Sequence, residues 1–443
     1  MENRQQEFAT AMRGFYLWRC GTAVVADYGG EHYCTGECHL EDGLTDYVDR
    51  DIYGKVSPDN RRDGNGGWHD AGDFGKYTVN AGITLGCLFN AWDHFGDKIK
   101  EIPLNLPETA GGYPEFLEEL KWETDWLLKM EYPDGSGRVS HKLTRLAFSD
   151  FIMPQDDDAP RYFTVWSSAA TADFAAMMAM AARHFRDYDA AYAGKCLEAA
   201  LRSWNFLKAN PEDKIFEQGD FKTGDYRTSD PDDRLWAAAQ IWETTGDSAA
   251  LKDLEERIEA FAAPLKVSDD WDWGDVENLG LFTYALSDRE GRNPAILEKV
   301  RKAILESAAR IAGRVDSDKY GCPLEKFYWG CNGTAARLSL NLHAAELLDS
   351  GTSYREQIGK IAAYLLGNNF YGRSFVTGLG PNPPMHPHDR RSGADGIDAP
   401  WPGYLVGGGH SATDWVDEQE DYSRNEIAIN WQAGLVYLLA ANL

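Results

Sequence analysis

Apolar residues recur at three- and four-residue spacing in twelve segments, the pattern of helices that each bury one face. The segments run near 5–20, 79–96, 114–131, 167–186, 189–209, 232–246, 248–264, 276–287, 294–313, 332–349, 353–367 and 424–442. Breakers part them, such as "NPEDK" after the fifth, "TTGD" at 244–247 and "LDSGT" at 348–352. Strand-period alternation is scarce, and "GRSFVTGLG" (372–380) is the best extended candidate. Long non-helical stretches lie at 21–78, 132–166, 314–331 and 368–423. Loops of that length in a compact domain usually carry function. Twelve helices with no low-complexity linker predict one all-α domain over 1–443, a toroid of paired helices with its long loops at one rim. An elongated solenoid would show a fixed period, and none is present.

Composition narrows the partners. A formal net charge of −27 repels phosphate backbones and anionic membranes, so no nucleic acid or membrane partner is expected. No run of about 18 apolar residues predicts a transmembrane helix. The N-terminal stretch has no apolar leader with a cleavage site. The expectation is secretion with the leader outside this sequence, or a cytoplasmic protein if the chain is complete, in either case a monomer. Seven cysteines, an odd number, do not form a disulfide framework of the small secreted kind. Fifteen Trp and 21 Tyr ask for a reason beyond core packing.

Two acidic motifs supply one. "GGWHDAGDFGKY" (66–77) holds Asp70 and Asp73 on a glycine-rich turn just before a helix. Two carboxylates so placed can accept hydrogen bonds from one water, which becomes a better nucleophile when one takes its proton. The plain alternative is an Asp-capped turn. In "DYSRNEIAINWQAGLVYLLA" (421–440), Glu426 is expected to open the last helix. There the helix dipole would lower its pKa, and a proton-donor role requires burial near Tyr422 and Trp431, or beside another carboxylate, to raise it. Glycoside hydrolysis needs one protonated and one ionised carboxyl group across the scissile bond. Aromatic side chains suit the apolar C–H faces of sugars, which accounts for the Trp excess.

These two motifs, with "SFVTGLGPNPPMHPHDR" (374–390) and "RYFTVWSSAATADFAAMMAMAAR" (161–183), closely resemble glycoside hydrolase family 9, the cellulase family with an (α/α)6 barrel. The resemblance runs from Phe15 to the C-terminus. It implies that Asp73 is the general base, that Asp70 helps hold the attacking water, and that Glu426 is the general acid. It also implies single-displacement inversion, which in inverting enzymes sets the carboxyls about 6.5–9.5 Å apart. His388 and Arg390 match the family's sugar-site His-x-Arg, with Asp389 where a second His is usual. A solvated basic loop is the plain reading of 385–391. Trp329 in "FYWGCNG" matches a stacking platform, with Cys331 in place of Ser.

Two metal sites follow. Cys20, Cys38, His39 and His69 have the composition of a Cys₂His₂ zinc site, although spacing alone leaves ordinary buried Cys and polar His open. Bacterial members of the family with an immunoglobulin-like module bind structural zinc at the matching positions, so the resemblance implies zinc here, without room for that module. "TGDYRTSDPDDRLW" (223–236) clusters oxygen donors. Helix capping by Asp230 and Asp232 is its plain reading. The resemblance implies calcium at Thr223, Gly224, Asp232 and Asp233, with Asp275 a further donor.

The combined expectation is an inverting endo-β-1,4-glucanase acting on a polysaccharide or oligosaccharide β-glucan. An exo-acting β-glucosidase or cellodextrinase of the same fold is the second reading. A non-catalytic carbohydrate-binding toroid is disfavoured by the intact Asp73 and Glu426. A terpenoid cyclase reading of "DPDD" is opposed by the acidic surplus and the lack of a neighbouring Lys/Arg cluster.

Overall fold

A computed structural model describes residues 2–29, 32–47, 61–108, 112–261 and 263–443. Positions 48–60 of the expected 21–78 loop, and 262 in the expected helix 248–264, lie outside these. Among the described residues, twelve helices have ten residues or more. They are α1 (Glu2–Leu17), α2 (Thr78–Ile99), α3 (Glu115–Met130), α4 (Ser168–His184), α5 (Ala190–Ala209), α6 (Pro231–Thr245), α7 (Ser248–Ala260), α8 (Glu277–Leu286), α9 (Pro294–Ser317), α10 (Cys331–Leu348), α11 (Arg355–Leu365) and α12 (Ile429–Ala441). Each falls on one of the twelve periodic segments.

Local chemistry sets the ends. Ser167 accepts a hydrogen bond from the Ala170 N–H at the start of α4, and Asp189 does the same from Tyr192 for α5. Pro231 and Pro294 stand in the first turns of α6 and α9, where no N–H partner is lost. Gly246, at φ 73°, ends α6 in the left-handed conformation that a side chain would resist.

The even-numbered helices form an inner ring. α2 packs on α4, α4 on α6, α6 on α8, α8 on α10 and α10 on α12, and α12 closes back on α2. The odd-numbered helices pack outside it, α1 on α12, α3 on α2, α5 on α4, α7 on α6, α9 on α10 and α11 on α10. This is the expected (α/α)6 barrel. Inner helices are enclosed all round, and α2 is buried continuously from Thr78 to Ala91. An outer helix buries a stripe, as α9 does through Ile296, Val300, Ile304, Ala308, Ile311 and Val315. Each fully buried Leu, Ile or Phe contributes about 1.5–3 kcal/mol of transfer free energy.

Strand structure is sparse. Four two- or three-residue strands form one sheet in the order β1 (Asp46–Tyr47), β4 (Tyr162–Phe163), β3 (Lys142–Thr144), β2 (Lys76–Tyr77). β2 leads into α2, so the sheet backs the turn carrying Asp70 and Asp73. The stretch 372–380 is mostly turns, with only Val376 bridging to Leu405. The twelfth expected helix also differs. A short helical turn spans Tyr422–Asn425, and Glu426 then lies in extended backbone before α12 begins at Ile429. Its backbone neighbours hold it there: His388 pairs with Glu426, Val406 with Ile427 and Ala71 with Ala428.

Candidate active site

Segments just ahead of five inner helices meet in one cleft of about 610 Å³. Asp70, Asp73 and Tyr77 come from before α2, Tyr226 from before α6, and Trp273 from before α8. Tyr328 and Trp329 precede α10, Glu426 precedes α12, and Trp431 lies in its first turn. Two carboxyl motifs more than three hundred positions apart therefore share one wall.

Each carboxylate is held differently. Asp70 accepts from the Tyr226 hydroxyl at 2.6 Å and from Asn80 Nδ2 at 2.7 Å. Burial and the charge of Asp73 push its carboxyl well above the usual range. Asp73 accepts from the Gly75 N–H at 2.9 Å and from the Tyr77 hydroxyl at 3.0 Å. Glu426 is pushed well above the carboxylate range by burial, then by the charges of Asp73 and Asp70, against the opposing pull of Arg390 and of the Gly72 N–H. The expected helix-dipole lowering does not apply, because Glu426 is not on a helix. Those causes favour its protonated form, and it stands beside Asp70 and Asp73 in the same cleft.

The turn itself is braced from below. Arg161 Nη1 donates to the Phe74 carbonyl at 2.7 Å, while its Nε pairs with Asp42 at 3.0 Å. Lys76 Nζ reaches Asp42 at 3.0 Å and the carbonyls of Gly64 and Gly66 at 2.8 and 2.9 Å. Asp42, Lys76 and Arg161 are all buried, and the single Asp42 carboxylate pairs with both cations where an unpaired charge would be costly.

The other expected sugar-site residues fall as follows. Arg390 is buried and spends its guanidinium on backbone, donating to Gly72 O at 2.8 Å and Ser149 O at 3.0 Å. His388 Nδ1 lies 2.7 Å from the Gln419 carbonyl and so carries the proton on that side, and burial lowers its pKa. Neither is among the residues lining the cleft volume. Arg390 instead fixes Gly72, between the two aspartates. The stretch 389–391 is no solvated loop: Asp389 is buried, pairs with Arg391 at 3.0 Å and caps the short helix Arg390–Ala394. Trp329 (47% exposed) and Tyr422 (52% exposed) meet edge to face at 5.3 Å on the rim, whereas Trp431 is buried in the wall.

Cys20, Cys38, His39 and His69 come together. One donor atom from each lies within 4.8 Å of the others, and all four are buried. His39 Nδ1 stands 3.1 Å from His69 Nε2, and the other His39 nitrogen meets Asp157 Oδ2 at 3.2 Å. Two sulfurs and two ring nitrogens gathered at this range, with a carboxylate behind one imidazole, fit a tetrahedral zinc. His69 immediately precedes Asp70, so the cluster adjoins the turn that carries Asp70 and Asp73.

The calcium expectation gains no such support. Thr223 Oγ1 and the Gly224 carbonyl both receive the Lys142 ammonium, at 3.1 and 2.7 Å. Asp232 accepts from the Val276 N–H at 2.7 Å. Asp275 is a partly buried cleft residue whose carboxyl is raised by burial. Asp233 faces Asp173 of α4 in the barrel interior, and both carboxyls are raised by burial and by each other's neighbourhood of negative charge. A lysine takes two of the foreseen donors, Thr223 and Gly224, while Asp232 holds the Val276 N–H.

Sequence reasoning missed Tyr77, Tyr226 and Asn80, which carry the hydrogen bonds to the aspartates. Tyr77 was visible as the last residue of the acidic motif. Tyr226 and Asn80 gave no signal, because their relation to Asp70 exists only after the ring closes.

A helical toroid that presents three carboxyl groups to an open, aromatic-walled groove has the architecture of an (α/α)6 glycoside hydrolase. The chain belongs to glycosyl hydrolase family 9, whose family model matches residues 5–439. It is 51% identical over 439 residues to Endoglucanase D of Acetivibrio thermocellus, in two versions of which it spans 69% and 66% of the length, with 98% of this chain covered. Among solved structures, a metagenome-derived family 9 endoglucanase matches at 34% identity with a TM-score of 0.90, covering 99% of this chain and 81% of that one. A Zn-binding triple mutant of the family 9 endoglucanase J30 matches at 28% identity with a TM-score of 0.91, covering 99% and 84%.

Proposed function

We propose that the protein is an inverting endo-β-1,4-glucanase acting on cellulose or soluble β-glucans. Asp73 takes the proton of the attacking water, Asp70 orients that water, and Glu426 protonates the leaving oxygen. The observation that carries the reading is Glu426, half-buried and raised in the same cleft as Asp73 and Asp70. A general acid must hold its proton at working pH, and enzymes reach that state by burial and like charge. Trp329, Tyr422 and Trp431 supply sugar-stacking surface. The exposed rim aromatics favour an open groove, hence internal cleavage, and the family membership and the Endoglucanase D relative support the same substrate class. Arg390 and His388 act on the site by holding the backbone beside Gly72 and Glu426.

A zinc bound by Cys20, Cys38, His39 and His69 would supply a rigid cross-link and no reaction step. The protein residues would transmit that rigidity, since His69 adjoins Asp70 and Asp157 orients His39.

Asp73→Asn and Glu426→Gln should each lower kcat on soluble β-glucan about 10²–10⁴-fold. Near-normal turnover in both would end the assignment. Proton NMR of fresh product should show the α-anomer, and a β-anomer would contradict inversion. An early fall in carboxymethylcellulose viscosity distinguishes internal from terminal cleavage.

A further inference from the structure

Lys142 opens β3 and is fully enclosed. Its backbone pairs with Tyr77 of β2, at the foot of the catalytic turn. Its Nζ lies 2.6 Å from Gln218 Oε1, 2.7 Å from the Gly224 carbonyl and 3.1 Å from Thr223 Oγ1. Three rings enclose the same atom, Phe221 at 4.9 Å, Phe216 at 5.4 Å and Tyr77 at 5.7 Å from their centroids. An ammonium has three N–H donors and no acceptor, and three oxygens receive them here. The rings add cation–π attraction and exclude water. The three oxygens favour the ammonium, while burial draws the lysine's pKa down to about 7, so it is a cation below neutral pH.

What this lysine holds matters for the reaction. Gln218, Thr223 and Gly224 belong to one loop between α5 and α6. The Gly224 N–H donates to the Tyr77 hydroxyl at 3.0 Å, and that hydroxyl donates to Asp73 Oδ2 at 3.0 Å. Contacts therefore run without a gap from Lys142 through Gly224 and Tyr77 to Asp73. Free of the lysine, this turn has two converging oxygens, Thr223 Oγ1 and Gly224 O, with no other positive charge hydrogen-bonded to them.

We propose that Lys142 is a positioning residue for the hydrolytic reaction, a built-in cation that fixes the 218–224 loop and, through Gly224 and Tyr77, the carboxylate of Asp73. The proposal rests on Asp73 being the base. The lysine acts by geometry first and by field second: burial lowers its pKa to about 7, the charges of Asp225 and then Asp73 oppose that lowering, and the attraction is mutual.

The test uses Lys142→Met and Lys142→Arg, with kcat, KM and pH profiles on soluble β-glucan and melting temperatures for each variant. Wild type and Asp73→Asn are measured first. An active Asp73→Asn enzyme would overturn the reading of the site itself, and the lysine's role with it. Given an inactive one, Lys142→Met should lower kcat about 10–100-fold with KM within roughly twofold, the signature of a displaced reacting group. Loss of the positive charge should also move the acid limb of kcat/KM to higher pH, a shift that loosened packing alone would not produce. Lys142→Arg should recover much of kcat and return the limb. A folded Lys142→Met enzyme with kcat within twofold of wild type and an unmoved acid limb overturns the proposal. If Lys142→Met does not fold, Thr223→Val decides. Removing that one acceptor should lower kcat about 2–5-fold at unchanged KM, and wild-type kcat would refute the role.

Discussion

Gly72 sits between the two aspartates, and the structure gives its replacement a definite cost. A Cβ built there would lie 2.1 Å from the carbonyl oxygen of His388 and 3.0 Å from the carbon bearing it. Ordinary contact begins near 3.4 Å, so the shortfall is about 1.3 Å, against backbone that cannot swing aside. The crowded segment is not passive. His388 pairs with Glu426 and takes the Asn425 carbonyl at 2.8 Å, so displacing it displaces the acid. Gly72 also holds Arg390 through its carbonyl, and its N–H reaches the Glu426 carboxylate. Gly72→Ala must therefore separate the Asp70–Asp73 turn from Glu426 by on the order of 1 Å. A misplacement of that size costs about 10²-fold in rate, and the forced fit about 1–3 kcal/mol in stability. The expected variant has kcat on soluble β-glucan reduced about 100-fold, KM within a few-fold because the stacking rings lie elsewhere, and a lowered Tm. A Gly72→Ala enzyme with kcat within threefold of wild type and unchanged Tm would show that the acid and base do not depend on this approach.

Four further outcomes follow from the same geometry. Asp70→Asn removes one of the two charges that raise Glu426, so the alkaline limb of kcat/KM of the residual activity should move to lower pH; an unmoved limb would dissociate Glu426 from that limb. Exhaustive chelation should release about one zinc per chain, measured by mass spectrometry, and lower both Tm and kcat, with Cys20→Ser reproducing the effect. Trp329→Ala should raise KM for long glucans roughly 2–10-fold with kcat nearly kept, the value of one aromatic contact, and an unchanged KM would remove it from the sugar path. Asp173→Asn should raise Tm at pH 7 by roughly 1–3 °C and leave it unchanged near pH 4. The sign follows from burial: a carboxyl raised in the folded state is neutral below the unfolded pKa, costs nothing there, and destabilises increasingly as pH rises above it.

The sequence made the ring legible because helix periodicity is a local signal. All twelve segments were marked by their own apolar spacing, caps and breakers, with ends shifted by a few residues. Glu426 was placed on the last helix for the same reason, since the apolar run after it continues the helical pattern back past Ile429. Its extended backbone is a tertiary fact, created by bridges to His388 and, one residue on, from Ile427 to Val406. The meeting of Cys20, Cys38, His39 and His69 was legible by residue type and by resemblance. The calcium set gains no support: two of its donors, Thr223 and Gly224, meet a residue outside the motif, Lys142, which is 81 positions before Thr223 and enters the loop through a sheet that period alone did not reveal. Arg390 matched a family motif, yet its hydrogen bonds go to backbone and make it a brace.

The ring also explains how so many acids are tolerated in one place. Inner helices alternate with outer ones, so all inner helices point the same way, and five present their N-terminal approaches to the cleft. Each N-terminus carries about half a positive charge, and that field favours carboxylates close to it. At the opposite end of the barrel a second cavity of about 480 Å³ is lined by Arg183 together with Asp93, Glu243 and Asp288, and burial lowers the pKa of His94 there to about 4. Against this field the position of Glu426 is the informative one. It stands on extended chain between a four-residue turn and α12, with one backbone N–H from Gly72 as its main support from the protein's dipoles. Asp70 and Asp73 share four hydrogen-bond donors by comparison. The three carboxyl groups thus differ in what donates to them, two hydrogen bonds each at Asp70 and Asp73 against one backbone N–H at Glu426, and burial with neighbouring negative charge still raises both Asp70 and Glu426.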